Sequence, residues 1–342
     1  MTATSEKTVG QKGFSLVELI ITMSIFLLAC AAIFGVMRIA TIQKNTAGNR
    51  TDQLRSARIA VDYIRRDALN AGFGYHRAGG NAPDDIANAL FGLPKDSDSQ
   101  RDLMTSIIAG NDINTNSLDP NVRTDIVAFI SRDPTFNDGD LINYTKIGNA
   151  SATAFVETKT GAAANCRKND LYLLESDSGT TQIVAMATNV VDNKKIEFAV
   201  NDPLHINQSA TASGESKNLL MSTTGGGTIK KINLISYEVT NDGVLVRKIY
   251  GNRNGTEQIE RRELVYGVSN FQIRYFMEDG TILDNPSNNH NGRDNQIKMN
   301  SVVQIQVTLT ISPNTNGTPD AQGAPVTIRE FISTRNLRYE AS

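Results

Sequence analysis

The chain has 342 residues and a formal charge of −2, a balance that excludes strongly basic nucleic-acid binders and acidic-tail proteins. That length suffices for one large domain or two ordinary ones around a proper core. Its two cysteines, Cys30 and Cys166, form no disulfide framework, so the fold must rest on burial and hydrogen bonding.

The first predicted element is the apolar run Phe14 to Met37, in which Glu18 is the only charged residue and Ser15, Thr22 and Ser24 are polar. As a helix these positions span about 36 Å, enough for a hydrocarbon core of about 30 Å with some tilt. The run is too long for the apolar core of a signal peptide, and no clear small-residue cleavage site follows it. Lys7 and Lys12 precede it and Arg38, Lys44, Arg50 and Arg55 follow it, so charge does not set its orientation. An acid inside a bilayer costs a few kcal/mol on insertion scales, so Glu18 calls for a cation from another subunit or a shallow position near the headgroups.

"KGFSLVELI" resembles the N-terminal signature of the type IV prepilin family. The resemblance implies cleavage after Gly13 by a prepilin peptidase, N-methylation of the new terminal residue Phe14, and retention of Glu18. It also implies that the Glu18 carboxylate pairs with the Phe14 amine of a neighbouring subunit, each charge completing the other in low dielectric. The leader would lie in the cytoplasm and the body outside.

Beyond the run the helix continues. No proline occurs before Pro83, and Leu54, Ala57, Val61, Ile64 and Ala68 recur at spacings of three and four, an amphipathic stripe. Gly72 in "NAGFGY" supplies the stop, and Gly48 marks a bend or melted point. Arg55, Arg58, Arg65 and Arg66 against Asp62 and Asp67 read as a solvated face with pairs such as Arg58–Asp62 and Asp62–Arg66. The stretch Gln53 to Tyr75 resembles minor pilins of the PilW type, as do "VYGVSNFQIRYF" and "STRN" near the end.

Residues 76–124 are rich in Gly, Asn, Asp and Ser and predict loop, with short helices near 85–92 and 100–109. Strands are predicted at 125–131, 153–159, 170–176, 182–188 and 195–200, then in a hairpin of 229–240 with "VLVRKIYG" across "NDG" (241–243). The runs 258–277, 301–312 and 326–337 complete the series. The last four elements predict one antiparallel sheet against the long helix, with alternation in "VQIQVTLTI" putting one face inward. The expected class is α+β and pilin-like: leader 1–13, transmembrane helix 14–40, amphipathic extension 41–72 and β-rich body 73–342. Within that body the reading takes an insertion at about 76–225 and a main sheet at about 229–337.

No catalytic constellation is evident, and the expectation is a protein that is not an enzyme. His76, His205 and His290 stand isolated, without HExxH spacing. "STTGGGTIKK" (222–231) lacks P-loop order and reads as a flexible loop. Cys166 has basic neighbours that could lower its pKa, but no histidine is near in sequence. The acidic loops 132–140 and 284–294 offer oxygens for calcium. Asp138 stands where the EF-hand glycine belongs, so ordinary polar loops and no cofactor are favoured.

The resemblance thus implies a minor pilin that joins a filament, near its tip, and helps assembly begin. Its expected partners are the peptidase, other minor pilins, the major pilin and the inner-membrane assembly machinery, with no nucleic acid. Before assembly it would be a single-pass inner-membrane protein with a periplasmic body; afterwards it would lie on the pilus at the cell surface. A J-type minor pseudopilin of type II secretion is the alternative, and length favours the pilin. A signal-anchored periplasmic binding protein is a further one.

Overall fold

The structure is a computed structural model that describes residues 13, 15–95, 101–150, 153–179, 181–200, 202–207, 225–251, 258–284, 293–312 and 324–334. Helix α1 runs unbroken from Leu16 to Asn70, passing through Gly48 without interruption. One 18-residue window in it has mean hydropathy 2.6 and none of that window is buried. The helix ends where Gly72 adopts φ +80° and donates its N–H to the Ile130 carbonyl at 2.8 Å, so the departing chain is captured by a strand. A left-handed residue at this position is the usual way to leave a helix, and glycine takes it without steric cost.

The strands, in chain order, are β1 (Gly80–Ala82), β2 (Asp102–Met104), β3 (Ile107–Asn114), β4 (Thr124–Arg132), β5 (Ile142–Ala150), β6 (Thr153–Thr158), β7 (Leu171–Ser176), β8 (Gln182–Met186), β9 (Asn189–Val191), β10 (Lys195–Ala199), β11 (Gly227–Val239), β12 (Val244–Tyr250), β13 (Ile259–Tyr266), β14 (Val268–Met277), β15 (Ile282–Leu283), β16 (Val302–Ile311) and β17 (Val326–Ser333). Helix α2 (Ile86–Phe91) lies after β1, and α3 (Arg293–Lys298) precedes β16.

Two sheets meet the outer part of α1. One is antiparallel in the order β3-β4-β11-β12-β13, and the other runs β15-β14-β16-β17. Ala57, Ala60, Val61, Ile64 and Ala68 of α1 pack with Val127, Phe129 and Ile249 of the first sheet and Phe271, Ile305 and Ile332 of the second. The alanines let the helix lie close to both sheets, while Val61 and Ile64 fill the wedge between them. Each buried Val or Ile side chain contributes about 1.5–3 kcal/mol. The opposite face of the first sheet is also covered: Ile126, Ala128, Ile130, Ile232 and Leu234 pack with Phe91 of α2 and Tyr75. This explains why β4 is a near-continuous apolar run and not an alternating one.

β11 belongs to two sheets. Ile232 to Val239 lies between β4 and β12, whereas Gly227 to Lys231 lies between β7 and β5. The second half extends past the end of α1 into a distal lobe ordered β2-β1-β8-β7-β11-β5-β6-β10-β9. That sheet curls, so that Ile183 and Ala185 of β8 share a core with Ile196 and Phe198 of β10.

The α+β architecture is the expected one, with three local corrections. Residues 100–109 were expected to be helical; the described ones form β2 and begin β3, pairing with β1 and β4. Ile107, Ile108 and Ala109 are all buried, so sheet pairing overrode a short helical pattern. The run 258–277 breaks at Gly267, φ +78°, and its halves join different sheets. The last elements therefore make two sheets where one was expected. Of the loop expected at 222–231, Gly227 to Lys231 is strand, and 222–224 lie outside the described residues.

Candidate processing and assembly site

Gly13 is exposed, and a Cβ placed there would have nothing within 4 Å. Ser15 follows in an extended conformation, φ −68° and ψ 141°, at the N-cap of α1. Phe14, the expected new terminus, lies outside the described residues. Glu18 sits exposed in the first turn, where its carboxylate faces the positive end of the helix dipole. The apolar stretch beside it gains no cover from the chain's own body, so an exposed acid and an uncovered helix occupy one segment. By length and composition this helix is long enough to cross a membrane.

Residues 9–34 match the prokaryotic N-terminal methylation motif. This N-terminal motif supports a type IV prepilin-like protein, of the pilin or pseudopilin kind that prepilin peptidase processes, and the apolar helix fits a membrane anchor. A comparison with curated proteins finds no match.

The structure also holds a charged cluster that the sequence pattern did not reveal. Asp67 lies on the buried stripe of α1. Its Oδ2 accepts hydrogen bonds from Tyr237 Oη at 2.6 Å and from Arg247 Nε at 2.8 Å. Arg66 Nε lies 3.5 Å from the other oxygen, and Arg247 stands over the Tyr63 ring. Burial opposes the charge on Arg247, yet the hydrogen bond and attraction from Asp67 carry its pKa above the ordinary arginine value. Burial, then the Asp67 charge, raises the Tyr237 phenol. The cluster clamps α1 to β11 and β12. Its signal was spacing: Asp67 falls three residues after Ile64 and seven after Ala60, the inward stripe and not the solvated face. On that outer face Asp62 pairs with Arg65 at 3.1 Å, and Arg65 also reaches Glu330 of β17.

A second buried acid joins the two sheets. Asp125 on β4 accepts the Asp112 N–H at 2.9 Å and the Ile273 N–H of β14 at 2.7 Å. Burial pushes its carboxyl up to about 7; the two N–H bonds pull downward and the Asp112 charge adds to the rise.

The remaining candidates are not brought together. His76 lies 3.2 Å from Gln182 Nε2, and burial lowers its pKa. His205 occupies a turn at φ +56°, and His290 lies outside the described residues. Cys166 is buried and, contrary to a thiol activated by basic neighbours, burial pushes it up to about 11. In loop 132–140, Asp133 is engaged by the N–H and hydroxyl of Thr135. Among the described residues no three His, Cys, Asp or Glu are gathered for a metal ion; residues 285–292 of the other loop lie outside them.

Proposed function

We propose that the chain is a minor type IV pilin of the PilW type. Prepilin peptidase cuts after Gly13, Phe14 is N-methylated, and Glu18 pairs with the Phe14 amine of a neighbour as the helices pack. The observation that carries this reading is the methylation motif at 9–34, seated on an apolar helix that its own body leaves uncovered. An ion pair in low dielectric is favourable only with both partners in place, so Glu18 makes assembly the route to a satisfied charge. On this reading 1–13 is leader, 14–40 spans the inner membrane and 41–72 extends the helix. Residues 73–342 form a periplasmic body that reaches the cell surface in the pilus, near its tip, beside other minor pilins and the major pilin.

Intact-mass and N-terminal analysis of protein from membranes with and without the host's prepilin peptidase tests this. Loss of residues 1–13 and a methyl group on Phe14, both dependent on the enzyme, are expected. A chain beginning at Met1 in both strains would make the run a simple anchor.

A further inference from the structure

Where β11 passes from one sheet to the other, a lysine and an aspartate meet inside the protein without sharing a hydrogen bond. Lys231 Nζ lies 3.0 Å from Asp170 Oδ1, with the aspartate side chain 1% exposed and the lysine side chain 20%. That Oδ1 accepts no hydrogen bond, so the amine approaches it off the hydrogen-bonding axis. A buried ion pair ordinarily offsets its desolvation by aligned hydrogen bonds to its remaining lone pairs. This one is close but unaligned.

Both partners are held by their backbones. Lys231 stands opposite Tyr172 in the β7–β11 ladder, and its carbonyl accepts the Asp133 N–H at 2.8 Å. The Asp170 carbonyl accepts the Ala187 N–H at 2.9 Å. The second carboxylate oxygen is engaged: Tyr172 Oη donates to Asp170 Oδ2 at 3.0 Å and accepts the Arg167 N–H at 3.3 Å. Burial raises the Tyr172 phenol well above its ordinary pKa, so it stays a donor. The Phe136 ring covers the site, edge-on to Tyr172 at 5.9 Å and 5.8 Å from Lys231 Nζ.

We propose that Lys231 and Asp170 condense into an intramolecular amide, made by the folded protein on itself. The ammonium passes one proton to the carboxylate, and the neutral Nζ adds to Asp170 Cγ. Tyr172 steadies Oδ2 as negative charge develops on it. Oδ1, which carries no other bond, takes two protons from the nitrogen in all and leaves as water. Charge and atoms balance, and no oxidant, reductant or cofactor is consumed. Reacting groups fixed in contact have effective molarities of about 10⁵–10⁸ M, which offsets the slowness of the reaction between free partners. Low dielectric favours the product, because an ion pair becomes a neutral amide and the water that would reverse the step is kept out. The link ties β7 of the distal lobe to β11 and closes residues 170–231 into a ring.

The test is a tryptic map of the full chain, purified from its membrane and denatured before digestion. The expected product is a branched peptide of 169–194 with 231–247, lighter by one water than the two together, with cleavage after Lys231 lost. Lys231→Arg and Asp170→Ala abolish it. Tyr172→Phe slows its appearance after pulse-labelled synthesis about a hundredfold, and an unchanged rate would remove Tyr172 from the reaction. The wild-type map decides the matter even where a variant fails to fold. Separate peptides 169–194 and 232–247 at their unmodified masses would leave an ordinary ion pair and overturn the proposal. A link from Lys230 to Glu175 would also overturn it, since that pair, 2.6 Å apart, is more exposed in its acid and the nearby Tyr144 phenol bonds the Glu175 backbone, not its carboxylate.

Discussion

Replacing Asp67 with alanine should be among the most damaging single changes in the body. The carboxylate is 6% exposed and accepts two hydrogen bonds, from Arg247 at 2.8 Å and Tyr237 at 2.6 Å. Removing it leaves the Arg247 guanidinium, itself 5% exposed, without its counter-charge, and leaves the Tyr237 proton without an acceptor. Breaking a buried pair from one side costs about 3–5 kcal/mol. The Arg247 Nε to Tyr237 Oη contact at 3.1 Å and the Tyr63 ring face survive, which places the loss toward about 3 kcal/mol. Asp67→Asn keeps an acceptor and should lose about 2 kcal/mol. Thermal unfolding of the full chain in detergent would show Asp67→Ala as a fall of roughly 5 °C. The double change Asp67→Leu with Arg247→Leu should be less damaging than the sum of its parts by at least about 2 kcal/mol. A loss under about 1 kcal/mol for Asp67→Ala, or strict additivity in the double variant, would refute the idea that this cluster clamps the helix to the sheet.

Three further predictions follow from buried groups and one tight contact. Asp125 binds its proton more tightly folded, at about 7, than its ordinary 3.8; its contribution is full below pH about 4, falls as pH rises, and is lost above about 7. The gap is worth about 4 kcal/mol, so wild type should lose more stability than Asp125→Asn between pH 4 and 7, and parallel curves would contradict it. Cys166, pushed up to about 11, should resist iodoacetamide at pH 7.5 in the native chain and label on denaturation, as peptide mapping would show; rapid native labelling would contradict its burial. Gly227→Ala would put a Cβ 2.0 Å from the Glu175 carbonyl oxygen and 2.3 Å from the Tyr144 hydroxyl, costing about 3 kcal/mol or more. Limited proteolysis should then cut the distal lobe first, and a wild-type digestion pattern would count against that packing.

The legibility of this chain followed the range of the forces involved. The apolar run, the stripe ending at Ala68 and the strands bounded by turn residues are local patterns, and they read correctly. The stretch 258–277 misled because its strand character continues through Gly267, while a single left-handed residue sends the halves into different sheets. β3 was missed because Ile107, Ile108 and Ala109 are buried on both faces, which erases alternation. Glu18 stood out because an acid among apolar residues needs no partner in view to look anomalous. Asp67 did not, because its meaning comes from Arg247, 180 positions later. Asp125, likewise, takes its role from Ile273.

The two-sheet membership of β11 gives the body a mechanical axis. A pull on the distal lobe that is carried by β11 loads that strand lengthwise, and the ladders to β4 and β12 resist it as rows of bonds loaded side by side, not opened one at a time. The same strand carries Tyr237, which grips Asp67 of the long helix. β11 is therefore one continuous peptide joining the distal lobe to the sheet that grips the long helix.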